Sequence, residues 1–95
     1  MNPVPPKSRK MYYLYVLRSG RDGKLYLGST NDLKKRLFDH NNGKVFSTKY
    51  RAPLELLYYE AYREEKLARL RESRLKSFGK GYQELKKRII IGGAG

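Results

Sequence analysis

Arg36 and His40 stand four positions apart in the stretch 26–40, Y-L-G-S-T-N-D-L-K-K-R-L-F-D-H. That stretch reads as a strand end, a glycine turn, a helix start and a helix. With Leu33 at 0° and about 100° per residue, Leu37 falls at about 40°, Arg36 at about 300° and His40 at about 340°. The guanidinium and the chain's one histidine therefore share the apolar, inward face of the helix, while Lys34 and Lys35 point elsewhere. A cation beside leucine costs several kcal/mol unless an anion meets it. An anionic group such as a phosphate is expected there. Two phenols, Tyr15 and Tyr26, lie eleven positions apart across one hairpin, and a lone carboxylate, Glu72, follows on a later helix. Such a set suits phosphodiester hydrolysis, which needs an activated water, neutralised phosphorane oxygens and help for the leaving 3′-oxygen.

The elements that must position these groups can be read along the chain. Residues 1–10, M-N-P-V-P-P-K-S-R-K, form a Pro-rich, basic stretch expected to be a disordered arm. Residues 11–18, dense in aromatic and β-branched groups, predict a strand, and 24–29 its antiparallel partner beyond the S-G-R-D-G turn. A period of 2 puts Tyr13, Tyr15 and Leu17 on one face and Tyr12, Leu14 and Val16 on the other; Tyr26 and Gly28 share a side. Thr30 or Asn31 is expected to cap the first helix, which fades near Asn41-Asn42-Gly43. Residues 44–52 read as a loop, and Pro53 opens a third strand over 54–62. Glu64 and Glu65 start a second helix, with Leu67, Leu70, Leu75 and Phe78 as its core stripe and Glu72 on the margin. Gly79 ends it, and a short third helix over 80–89 turns Tyr82, Leu85 and Ile89 inward. Residues 90–95 read as a frayed tail. The result is one α+β domain over 11–89, of order ββαβαα, with a three-stranded antiparallel sheet flanked by helices.

Charge narrows the partners. Against 9 Asp+Glu stand 22 Lys+Arg, a net +13 in 95 residues. A field of that sign favours polyanions, with DNA the first expectation and RNA the second. The basic residues are spread along the chain and form no amphipathic helix, so a membrane surface fits poorly. Lys44, Lys49, Arg51 and Lys76 are expected on a solvated face that also meets phosphates. Cysteine is absent and no apolar run approaches the roughly 20 residues of a membrane span, which together suggest the cytoplasm.

The ordered set Y-L-Y (13–15), Y-L-G-S-T-x-D-L-x-x-R-L-x-x-H (26–40) and R-E-x-x-L-K (71–76) resembles the GIY-YIG nuclease superfamily. The likeness covers about residues 11–88. It is closest to the small standalone members related to the N-terminal nuclease domain of the bacterial excision-repair endonuclease C subunit. The resemblance implies a GIY-YIG endonuclease-like fold and a metal-dependent endonuclease acting on DNA, in a repair or recombination setting. Tyr15 matches the tyrosine ending the first tripeptide, Tyr26 the one opening the second, and Gly28 the second motif's glycine. Arg36 and Glu72 match the family's helix arginine and metal-binding glutamate, and His40 a position held by His or Tyr. Tyr13 departs from the first motif's glycine, and Ser29 stands where some repair nucleases carry lysine. The asparagine that several members carry after the glutamate has no clear match.

These matches imply one Mg²⁺ or Mn²⁺ held by Glu72 and waters, since Mg²⁺ keeps much of its hydration. Arg36 would grip the phosphate with two donors. Tyr15 would act as base, either with its pKa lowered by nearby positive charge or with a histidine taking the proton onward; His40 would relay and Tyr26 position water or phosphate. Gly28 would let backbone approach the substrate. All are expected to gather in one wet, cation-lined hollow. No sequence-reading element is evident, so recognition would be of nucleic-acid structure, with a protein partner adding specificity. The alternative is a DNA- or RNA-binding module that keeps the fold with weak catalysis or none. Blander roles also suit the residues: core tyrosines, a dipole-stabilised histidine, and an Arg36–Glu72 ion pair.

Overall fold

A central strand whose residues 14–17, L-Y-V-L, are buried on both faces organises the molecule. The structure, a computed structural model, describes residues 10–77 and 79–94, the last five by backbone alone. Strand β1 spans Tyr12–Ser19, β2 Leu25–Thr30 and β3 Leu54–Tyr62, and the sheet order is β2-β1-β3 with both pairings antiparallel. Helix α1 spans Leu33–Asn41, α2 Glu65–Ser77 and α3 Gly79–Ala94. The α+β order ββαβαα is therefore as the sequence predicts. Helix α3 is longer than the 80–89 expected, because no breaker stands between Ile89 and Ile91, and the stretch expected to fray is helical to Ala94. The arm over residues 1–9 and the core role of Phe78 lie outside the described residues.

Each face of β1 has its own core. Tyr15 and Leu17 pack with Leu54, Tyr26, Leu33, Leu37 and Leu56 beneath α1. Leu14 and Val16 pack on the opposite face with Leu75, Leu85 and Ile89 of α2 and α3. A bulge at Val16/Leu17 lets adjacent Leu57 and Tyr58 both join the second core. Two details of α1 depart from expectation. Its N-cap is Asp32, whose carboxylate accepts from the Lys35 amide at 3.1 Å, while Thr30 serves the turn before it. The loop beyond it holds a 3₁₀ turn, Phe46–Thr48.

The stripe of α2 is also shifted. Leu67 and Leu70 are exposed, and the inward positions are Ala68 and Leu75, with Arg71 and Glu72 between them. The positions 68, 71, 72 and 75 follow the 3.6-residue period, but two of them are charged. Polar demand on this side of the sheet sets the register. Glu60 accepts from the Tyr58 and Tyr62 hydroxyls at 2.6 Å each and from Arg71 Nε and an Nη at 2.9 and 3.0 Å. Burial and this carboxylate push the Tyr62 phenol up to about 12, and the Arg71 and tyrosine donors hold the carboxyl below its usual range despite burial. Arg71 thereby fixes the rotation of α2.

Arg71→Ala is expected to lower the unfolding free energy by about 1–2 kcal/mol, the low end for a charged hydrogen bond because solvent screens a side chain 36% exposed. Urea denaturation measures this, and an unchanged midpoint would contradict the clamp.

Candidate active site

The edge strand β2 and the helix that follows it bring three of the predicted groups into direct contact. In the register of the sheet Gly28 faces Tyr15, so the phenol lies across the glycine. A Cβ at Gly28 would collide with the Tyr15 hydroxyl and Cζ. Close approach is the reason for glycine here, since its φ is ordinary. Beyond the glycine, the Tyr15 hydroxyl meets His40 Nε2 at 2.9 Å and accepts from Arg36 Nε at 3.3 Å. His40 Nδ1 meets Thr48 Oγ1 at 2.6 Å. The far end of α1 is held by Asn41, whose side-chain amide exchanges two hydrogen bonds with the Leu54 backbone at 2.6 and 3.0 Å.

Donor logic orients this network. Arg36 can only donate, so the phenol oxygen accepts from it, and we assign the phenol proton to His40 Nε2, the arrangement in which that proton also has an acceptor. The imidazole then carries its own proton on Nδ1 and donates to Thr48. Burial pushes the Tyr15 phenol above its ordinary value, and Arg36 offsets this only in part. The expected lowering by positive charge therefore loses to desolvation. Burial, then the Arg36 charge, pushes His40 below its ordinary value, with Asp39 opposing. Both rings rest neutral near pH 7. Among the described residues no carboxylate pairs with Arg36, so the anticipated Arg36–Glu72 ion pair is not formed.

Glu72 approaches from the other face of β2. One carboxylate oxygen accepts from Ser29 Oγ at 2.7 Å and the other from Lys76 Nζ at 2.6 Å. Ser29 follows Gly28, so phenol and carboxylate flank two successive residues of one strand, and the Glu72 charge is felt at Tyr15. Thr30 and Asn31 line depressions on both sides: a cleft of about 220 Å³ with Asp32, Lys35, Arg36 and Asp39, and one of about 50 Å³ with Tyr12, Ser29, Glu65, Ala68 and Arg69. The single wet hollow expected around all five groups does not form: Tyr15, Arg36 and His40 share one face of the sheet, Glu72 reaches β2 from the other, and the Tyr26 hydroxyl turns to Asp22. Tyr15 is 3% exposed, with Arg36 across its hydroxyl.

Other predicted residues sit apart from this core. The Tyr26 hydroxyl donates to Asp22 at 3.3 Å and makes no hydrogen bond to the Tyr15–His40 pair. Arg51 pairs with the same Asp22 at 3.0 Å. Lys44 and Lys49 lie on the exposed segment beyond α1, and Lys76 is engaged with Glu72. Tyr13 is accommodated by leaning on Tyr59 of β3, edge to face at 5.8 Å, on the side of β1 away from β2. Two partners escaped the sequence reading. Ser29 was seen only as a missing lysine, and Thr48 not at all; only asking what satisfies the second nitrogen of an inward histidine would have found it.

A family model described as the GIY-YIG catalytic domain matches residues 11–86. The chain belongs to the GIY-YIG family. A UPF0213 protein of Bacillus pumilus (strain SAFR-032) is 43% identical over 75 residues, covering 78% of this chain and 76% of that one. UPF0213 protein SpyM50708 of Streptococcus pyogenes serotype M5 (strain Manfredo) is 47% identical over 68 residues, covering 70% and 73%. The solution NMR structure of the UPF0213 protein BH0048 from Bacillus halodurans is 30% identical and covers 80% and 83%, with a TM-score of 0.49. GIY-YIG domains are typical of endonucleases, which act on nucleic acid and generally use divalent metal ions. Among the described residues no helix is long and apolar enough to cross a membrane.

Two outcomes test this geometry. Gly28→Ala is expected to displace the phenol and cost about 1–3 kcal/mol through overpacking; a crystal structure retaining the Tyr15–His40 bond would contradict it. The second concerns pH. The unfolded chain protonates its histidine near 6.5 and the folded chain only lower, so the unfolded state binds more protons in between. The stability from neutral His40 is complete above 6.5 and is lost as pH falls through the folded value. Melting temperature should drop between pH 6.5 and about 5, before the carboxylates near about 4 titrate, and His40→Gln should flatten that slope.

Proposed function

We propose that this chain is a metal-dependent endonuclease that hydrolyses DNA phosphodiesters, directed by nucleic-acid structure rather than base sequence. The observation that carries the reading is Arg36: a half-buried guanidinium with no carboxylate partner among the described residues, resting on a phenol that itself faces a neutral imidazole. A phosphate is the anion that such a fork fits. When Arg36 turns its donors to the phosphate, the Tyr15 hydroxyl is uncovered. Its oxygen then takes a proton from the attacking water while its own proton passes to His40 Nε2, which leaves an imidazolium held by Thr48. A tyrosine above its ordinary pKa makes a poor base alone, and the histidine behind it supplies the proton acceptor. Tyr26, bonded to Asp22, serves the hairpin and the core beneath α1 rather than the relay.

Glu72 with the Ser29 hydroxyl and waters suits a single Mg²⁺ or Mn²⁺, and no group of three or more metal-ligating side chains exists among the described residues to hold more. Such an ion, when bound, would supply charge neutralisation at the phosphate. Lys76, exposed at the rim, occupies Glu72 in the meantime and is easily exchanged. The same ion pair favours the second reading, a DNA- or RNA-binding module without catalysis. A cytoplasmic setting and a partner protein that narrows the substrate belong to the proposal.

Purified protein incubated with nicked, flapped and linear DNA, and with structured RNA, separates these readings. Cleavage is expected with Mn²⁺ and none with EDTA, falling about 10²-fold or more in Glu72→Gln and in Tyr15→Phe. Absent cleavage, or cleavage unchanged in both variants, would leave only the binding module. Lys76→Ala should lower the Mn²⁺ concentration for half-maximal cleavage; an unchanged requirement would show that the ammonium does not compete at Glu72.

A further inference from the structure

The segment between α1 and β3 turns aromatic rings to solvent with cations beside them. Phe46 is 93% exposed and Tyr50 69%, and Phe38 at the end of α1 is exposed as well. Lys44 Nζ lies 5.6 Å from the Phe38 ring centre and Lys49 Nζ 5.5 Å from that of Tyr50. The two pairs are neighbours, because Gly43 backs onto Lys49. Neither hydrophobic core uses any of these three rings. Yet the segment that carries them is well anchored. Thr48, fully buried in the same 3₁₀ turn as Phe46, is bonded to His40, and the Lys44 amide donates to the Asp39 carbonyl at 2.9 Å. The Arg51 amide donates to the Thr48 carbonyl at 2.9 Å, and Ser19 Oγ to the Arg51 carbonyl at 2.6 Å. Exposed rings on a fixed backbone are prepared for a flat partner.

Charge selects which partner. At +13 overall, with Lys44 Nζ over one face of the Phe38 ring and Lys49 Nζ over one face of the Tyr50 ring, the surface calls for an anion with flat apolar faces that can use the faces left open. An unpaired nucleic-acid strand offers both: bases stack on the rings and phosphates meet the cations. A duplex hides its base faces and can use only the cations. We propose that Phe46, Tyr50 and Phe38 form a stacking strip for unpaired bases, tied through Thr48 to His40 of the Arg36–Tyr15–His40 site. The substrate class is then nucleic acid with a single-stranded stretch; that it is cut rests on the nuclease reading, whereas the strip does not. Thr48 joins the two, holding the imidazole by its hydroxyl and the strip by its backbone.

Fluorescence anisotropy in EDTA tests the strip without turnover, using a labelled thymidine oligomer of about 12 nucleotides, an abasic oligomer with the same phosphates, and a duplex. The wild-type protein should bind the thymidine oligomer at least about tenfold more tightly than the abasic one. Phe46→Ala and Tyr50→Ala should each remove about tenfold from that affinity alone, with abasic and duplex binding, salt slope and melting temperature unchanged. Lys49→Ala should instead lower the salt slope by about 1 on all three ligands. Equal wild-type affinity for the thymidine and abasic oligomers would overturn the strip. So would aromatic variants that weaken all three ligands alike, or that change none, which would give the rings to a protein partner. Because no cleavage is read, a chain inert as a nuclease can still pass this test, and an active one can still fail it.

Discussion

The hydrogen bond between the Tyr15 hydroxyl and His40 Nε2 ties the central strand to α1, and through Thr48 to the segment leading into β3. Its formation constrains residues far apart in the chain. Gly28 must lack a Cβ for the phenol to cross β2, and Asn41 must dock on Leu54 to hold the last turn of α1. Arg36 must cover the hydroxyl from one turn earlier. Burying a phenol and an imidazole together is tolerable only because each polar atom has a partner, and no buried side-chain nitrogen or oxygen among the described residues lacks one. The cost appears in the titration of both rings, which burial shifts in opposite directions toward the neutral form.

The opposite face of the sheet solves a different problem. Helix α2 turns two adjacent charged residues inward, which its apolar content does not favour. Arg71 is satisfied by the Glu60 carboxylate, which accepts two hydrogen bonds from it and two from tyrosine hydroxyls, and this sets the angle at which Glu72 reaches Ser29. A structural ion pair thus aims a carboxylate that sits one residue along the helix. The carboxylate itself stays near solvent, paired with Lys76. Phenol, imidazole and guanidinium on one side, carboxylate on the other, meet at residues 28 and 29 of an edge strand.

Much of this was legible in the sequence. The aromatic strand, the glycine turn and the apolar period of α1 each follow a local rule, so element order and the shared face of Arg36 and His40 came out as built. What failed did so where tertiary demand overrode local pattern. Leu67 and Leu70 look like a core stripe, but the Glu60 clamp rotates the helix and leaves them in solvent. For Tyr26 the spacing is silent on its partner: the hydroxyl donates to Asp22 of the hairpin turn. The sign of the Tyr15 shift required knowing that burial outweighs Arg36, which no spacing reveals. Thr48 carries no motif at all.

Because the chain has a single histidine, its ring nitrogens can be observed without ambiguity. The most direct measurement is ¹⁵N NMR of the imidazole near pH 7. The account predicts a neutral ring protonated on Nδ1, with an unprotonated Nε2 in the shift range of a hydrogen-bond acceptor. A proton on Nε2, or a charged ring at that pH, would leave Tyr15 with nowhere to send its proton and would contradict the relay.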